Sequence, residues 1–162
     1  MTSKIDEKRE LLRHALATLA YRGGKAIRDV PADFATFRLT AQSRSASEIL
    51  AHMGDLLDWW LCLAKGEQTW KESPPLSWDR EVERFHSALQ KLDDYLASDE
   101  PVGFPPEKLF QGPIADALTH VGQIAMMRRA AGAPMRGENY FKAEILSGRV
   151  GPVQQAPEVE FD

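Results

Sequence analysis

Ser45-Ala-Ser-Glu-Ile-Leu-Ala-His-Met-Gly-Asp-Leu-Leu-Asp-Trp-Trp-Leu-Cys-Leu-Ala-Lys-Gly66 is the stretch that decides the fold. Ser45 followed by Glu48 is a capping box, a hydroxyl cap with a carboxylate one turn on. Ile49, Met53, Leu56, Trp60 and Leu63 then recur at helical spacing. Gly66 supplies the stop. This stretch therefore predicts a helix from Ser45 to about Lys65, apolar along one side.

Three more segments repeat the pattern. A first helix is expected from about Ile5 to about Ile27, with Leu11, Leu12, Ala15, Leu16 and Leu19 as its stripe and Gly23-Gly24 weakening its end. A third is expected from Ser77, after Pro74-Pro75, to about Ala97, buried through Val82, Phe85, Leu89, Leu92 and Leu96. A fourth is expected to start at Pro113, the favoured first position, and to run to Ala131 before Gly132. Four amphipathic helices of similar length predict an all-α four-helix bundle. Residues 135–162 form an extension packing on it, with one short helix over Asn139–Ser147, and no strand pattern is apparent. The connection Asp29–Arg44 is long, so it is either a crossover or a lid. Phe34, Phe37 and Leu39 imply that it packs on the bundle.

The chain has 162 residues, 43% of them apolar and 27% charged, which fits a single globular domain. Net charge is −4, with no basic footprint for nucleic acid or an anionic membrane. A single cysteine, Cys62, excludes an internal disulfide and a multi-cysteine zinc site. The polar N-terminus has no apolar signal core, so the cytoplasm is the expected compartment.

Chemistry concentrates at three residues. On a helical wheel His52 lies within about 40° of Leu56, Trp59 and Leu63, so it faces inward. His120 lies within about 40° of Asp116, Ile124, Met127 and Ala131. Asp116 and His120 stack one turn apart. A buried imidazole and a carboxylate both need partners, and one divalent cation satisfies both. An up-down-up-down bundle would make the second and fourth helices parallel and put both histidines near one end. The bland alternatives are a dipole-favoured acid, a satisfied core histidine and an i, i+4 hydrogen bond. His14 and His86 have no second ligand at suitable spacing and read as structural and partly exposed. Cys62 reads as core, and Trp60 as a core anchor.

Ser47-Glu-Ile-Leu-Ala-His52-Met-Gly-Asp55 resembles the second-helix motif of the DinB/YfiT-like metalloenzyme superfamily. Thr119-His120-Val-Gly-Gln123-Ile124, followed by Arg128-Arg129 and Gly132-Ala-Pro134, resembles its fourth-helix motif. The resemblance covers most of residues 1–135, and Asn139–Gly148 is similar to an extension in one subgroup. It implies a four-helix bundle, commonly dimeric, holding a divalent metal through one histidine of helix two and an H-x-x-x-H pair of helix four. His52 and His120 match, and Asp116 stands where the first histidine of the pair would be.

Such a site would be an open His₂Asp set: zinc or nickel first, with manganese and iron(II) compatible. Its lower positive charge than a His₃ set would acidify a bound water less. The resemblance implies thiol-cofactor-dependent transfer or isomerisation, and an open site would either hold such a low-molecular-weight thiol or activate water for hydrolysis of a small-molecule substrate. Trp59, Gln123, Met127 and Arg128 are the candidate pocket, and Glu48 or Asp55 the candidate base. The competing reading is a non-catalytic dimeric bundle, a stress-related binding module with a structural metal or none.

Overall fold

A computed structural model describes residues 4–162, with side chains from residue 7. Helix α1 spans Lys4–Ile27, α2 Ala46–Ala64 and α3 Trp78–Ala97. The last helical run joins α4 (Pro106–Leu109), a π turn (Phe110–Ile114) and α5 (Ala115–Ala130). Two-residue strands β1 (Gly137–Glu138) and β2 (Glu160–Phe161) pair antiparallel, Gly137 opposite Phe161. The all-α bundle with a C-terminal extension is as the apolar spacing predicts. Among the described residues no helix is long and apolar enough to cross a membrane.

The start of α2 is built as its sequence implies. Ser45 Oγ accepts the Glu48 N–H at 3.2 Å, and the Glu48 carboxylate accepts the Ser45 N–H at 2.6 Å. Gly66, at φ +87°, closes the helix in the left-handed region that favours glycine. The apolar stripes meet in a core that includes Leu16, Leu19, Leu50, Met53, Trp60, Phe85, Leu89 and Leu92. Leu11 is an exception: it lies on the solvent face of α1 and is exposed.

Helix direction departs from the up-down-up-down expectation. Arg13 pairs with Asp93, and Gly24 lies beside His86, so α1 and α3 are antiparallel. Arg84 reaches Ala51 and Asp55, and Lys65 lies over Tyr95, so α2 and α3 are parallel. Lys8 pairs with Glu107, and Arg128 reaches the Ala26 carbonyl, so α1 and the last run are parallel. Gly103 touches Gly66, and His120 touches His52, so α2 and the last run are antiparallel. The order is up-down-down-up. Helices α1 and α2 each pack on both α3 and α5, which puts α1 and α2 on a diagonal.

Parallel neighbours require a crossover. The segment 65–77 returns along the length of α2, roughly 28 Å at about 1.5 Å per residue. Extended chain at about 3.3 Å per residue covers that distance. The other connection, 28–45, is pinned by Phe34, which is buried against Phe37 and the edge of Trp78. It packs on the bundle, as its aromatic residues predict.

Two local expectations need correction. The last helical run begins at Pro106, seven residues before Pro113. Pro113 lacks an N–H, and the wider π turn accommodates it inside the run. Over Asn139–Ser147 there is only a single 3₁₀ turn, Tyr140–Lys142, and no regular helix. The extension is held instead by specific contacts. Glu138, buried, accepts from Tyr21 Oη at 2.5 Å and Lys25 Nζ at 2.6 Å. Val150 is buried in the core, and its carbonyl lies 3.3 Å from His86 Nδ1. His86 is thus structural, as expected, but buried; His14 is exposed.

Two stability predictions follow from these contacts. A Cβ on Gly103 would lie 2.3 Å from Gly66 Cα, and backbone cannot yield cheaply. Gly103→Ala is expected to lose about 1–3 kcal/mol in denaturant unfolding; an unchanged midpoint would refute the contact. The Ser45 N–H and then Arg38 hold the Glu48 carboxyl down at about 2, against an ordinary 4.5. That stabilisation is complete above pH 4.5 and is lost as pH falls toward 2. Wild type should therefore exceed Glu48→Gln in stability at neutral pH, with the gap closing across this window in an acid titration followed by circular dichroism.

Candidate metal centre

His52 is the seventh residue of α2, about 9 Å from its first residue. His120 lies ten residues before Ala130, about 15 Å from the last residue of α5. In an antiparallel pair both depths are measured from the same end of the bundle, and they differ by no more than the reach of two side chains. The antiparallel pair therefore still brings these residues level, without the parallel arrangement expected from the sequence, because His120 sits near the middle of its run.

Ligand atoms of His52, Asp116 and His120 all lie within 4.8 Å of one another. Asp116 is 3.4 Å from His120 Nε2 and 4.0 Å from His52 Nε2. Both spacings exceed the usual N–H···O range of about 2.7–3.2 Å. They approach the edge of about 3.3 Å between ligands of a tetrahedral ion with bonds of about 2.0–2.1 Å. The two imidazoles meet edge to face with centroids 4.9 Å apart. The three residues that the wheel geometry singles out thus converge.

Protonation favours ligation. Gln123 Oε1 lies 2.8 Å from His120 Nδ1 and accepts its proton. That tautomer leaves the Nε2 lone pair directed at Asp116. Burial depresses the His52 pKa, helped by the charges of His120 and Arg44, so the ring favours the neutral form a metal requires. His52 Nδ1 is buried with no hydrogen-bond partner, a cost that nothing in the surrounding protein offsets. Asp116 keeps 48% of its side chain exposed, so the cluster opens to solvent on one side.

The crossover between α2 and α3 roofs the cluster. Trp70 stands edge-on to His52 at 5.7 Å and to Trp59 at 5.7 Å. Trp59 is therefore a backing wall, one ring removed from His52. Two clefts border the histidines. One, of about 570 Å³, runs past His52 between Arg38, Arg44, Glu48, Asp55, Glu72 and Ser73. The other, of about 630 Å³, runs past His120 between Leu39, Ile49, Gln123, Met126 and Met127. Both fall in the size range of small-molecule sites.

Gln123 and Met127 thus border the cluster, as the helical wheel suggests. Arg128 does not. Its guanidinium is buried and donates to the carbonyls of Lys25, Ala26, Arg28 and Ala133, tying the end of α5 to the end of α1. Neither candidate base is free. Glu48 is committed to the Ser45 N–H and Arg38. Asp55 is buried, pairs with Arg84 at 2.7 Å and accepts the Ser73 N–H at 3.1 Å. Cys62 is half-buried beside Trp59 in a small side cleft. Sequence reasoning passed over Trp70 and Arg44, which lie in connections without periodicity; a tryptophan among turn-forming residues was the only available signal.

Comparison with known protein families, curated proteins and solved structures finds no significant match.

Arg84 separates scaffold from site. It also lies 2.7 Å from Asp58 and 3.6 Å from the buried Glu81, whose Oε2 has no hydrogen-bond partner. Arg84→Ala would leave two buried carboxylates uncompensated. The expected cost is about 3 kcal/mol or more in thermal or denaturant unfolding; a loss below about 1 kcal/mol would show that the network is not structural.

Proposed function

We propose that the chain is a divalent-metal-dependent enzyme of the DinB/YfiT-like kind, acting on a small molecule. His52, Asp116 and His120 would hold the ion. The observation that carries this reading is the convergence of three ligand atoms from two helices, with His120 oriented by Gln123. The likeness of the two helix motifs to those of the superfamily supports it. Asp116 in place of a histidine gives a mixed nitrogen and oxygen set that suits zinc or nickel and also manganese or iron(II).

When bound, a divalent ion supplies Lewis acidity at its vacant positions and activates a water or thiol nucleophile. The chain supplies the rest. Gln123 fixes the His120 ring, and Trp70 shields His52 from bulk solvent. Glu48 and Asp55, the carboxylates next to His52 on α2, are engaged and do not stand as separate bases. Two clefts meeting at one centre give separate approaches to two reactants. That favours group transfer from a thiol over hydrolysis, which needs one approach for the substrate and only water besides. The reading contrasts with a binding module built on a structural ion, which would close its coordination shell with protein groups.

Equilibrium dialysis of untagged protein against zinc, read by elemental analysis, tests the centre. Wild type should hold one equivalent and His120→Ala none. Gln123→Ala should keep the stoichiometry and lose about ten- to hundredfold in affinity. A full equivalent in His120→Ala would overturn the assignment. In the cobalt-substituted protein, a thiol or azide should change the visible spectrum; no change would favour the structural-ion reading.

A further inference from the structure

The two clefts beside the cluster differ in chemistry, and two residues, Ser43 and Arg44, border both. Along the His120 side, Ile49 and Met127 are buried, while Leu39 and Met126 stand 52% and 59% exposed. Large apolar groups left to solvent on both lips of a concave site mark a surface that gains by being covered. Methionine side chains adapt to tails of varied shape. Along the His52 side the charges mostly cancel. Arg38 pairs with Glu48, and Asp55 with Arg84. Arg44, an exposed residue that lines both clefts, engages in no ion pair among the described residues.

We propose that the apolar cleft seats the tail of a small amphipathic carboxylate whose head lies on Arg44, with the carbons next to the carboxylate nearest the His52–Asp116–His120 cluster. This names the substrate class of the centre proposed above and rests on that reading. A monoanion fits better than a phosphate. One guanidinium offers one positive charge, and Glu72 on the same wall would repel a second negative one. A guanidinium also holds a carboxylate through two parallel hydrogen bonds. The apolar wall supplies affinity for the tail without specifying its length, and Arg44 fixes which end faces the cluster.

Octanoate is the probe, titrated by calorimetry into metal-free and zinc-loaded protein, with octylammonium and octanol as controls. Octanoate should bind both forms, octanol more weakly and octylammonium not at all. Arg44→Gln and Met126→Glu should each weaken octanoate binding by about tenfold, the loss of a charge-assisted contact or of the apolar lip, while each variant keeps its equivalent of zinc. Methyl shifts of Met126 and Met127 in the nuclear magnetic resonance spectrum should move with octanoate. Octanoate binding that ignores Arg44→Gln, or equal binding of octylammonium, would overturn the proposal. So would absence of octanoate binding in protein that holds one zinc, and that result would leave the metal centre standing. Octanoate binding in protein that holds no zinc would support the cleft and overturn the centre alone.

Discussion

The backbone contact between Gly66 and Gly103 sets the register of the whole site. No side chain separates the two residues, so the end of α2 touches the strand leading into the last helical run. The Gly103 N–H donates to the Ala64 carbonyl at 2.8 Å, which locks the approach. From that point α2 runs one way and the last run the other. Twelve residues back from Ala64 along α2 stands His52, and seventeen forward from Gly103 along the other chain segment stands His120. A helix rises about 1.5 Å per residue, so five extra residues would overshoot by about 7–8 Å if all were helical. The wide π turn, which advances less per residue than an α-helix, takes up part of that excess. The proline inside the run is therefore part of how the two imidazoles come level.

Charge is handled in two distinct ways around this frame. Scaffold charges are closed. Arg84 faces Asp55, Asp58 and Glu81; Lys25 faces Glu138 and Glu160; Arg128 faces four carbonyls. Each of these groups is held by partners, and removing one leaves a buried charge exposed to a poor dielectric. The cluster of His52, Asp116 and His120 is open. Its spacings are too long for hydrogen bonds, one ring nitrogen has no partner, and the carboxylate reaches solvent. Open and closed groups lie within one turn of each other on α2, at His52 and Asp55. That contrast marks the cluster as a candidate metal site more sharply than the presence of histidines does.

What could be read from the residues follows the same division. Helical faces depend only on spacing within a segment, so the four helices, the inward direction of His52 and the shared face of Asp116 and His120 were all legible. Helix direction depends on what the connections do, and thirteen residues between α2 and α3 suit either a wandering loop or a return crossover. Up-down-up-down order is the simpler assumption, and it inverted the relation of α2 to the last run. Pro113 misled for a related reason. Its preference for a first position is real, and nothing local reveals the π turn that lets it sit inside. In the extension, the spacing of Tyr140, Phe141, Ile145 and Leu146 mimics a helix, yet the segment is held by Glu138 and Val150, whose partners on α1 and α3 are distant in sequence. Trp70 and Arg44 depend on those same long-range placements.

The distribution of burial also bears on what an ion would do for this protein. A structural metal holds together groups that would otherwise have no reason to converge. Here the convergence has other causes. Trp60, Met53, Leu50 and Ile124, on the same two helices as the cluster, are buried in the apolar core. The frame of Arg84, Arg128 and the glycine contact fixes the helices without drawing on any of the three ligand residues. An ion added to such a site would contribute little to holding the bundle and would keep its vacant positions for other ligands. A preformed scaffold and a solvent-facing carboxylate are what the proposed reactive ion would need, and the bundle does not depend on that ion for its packing.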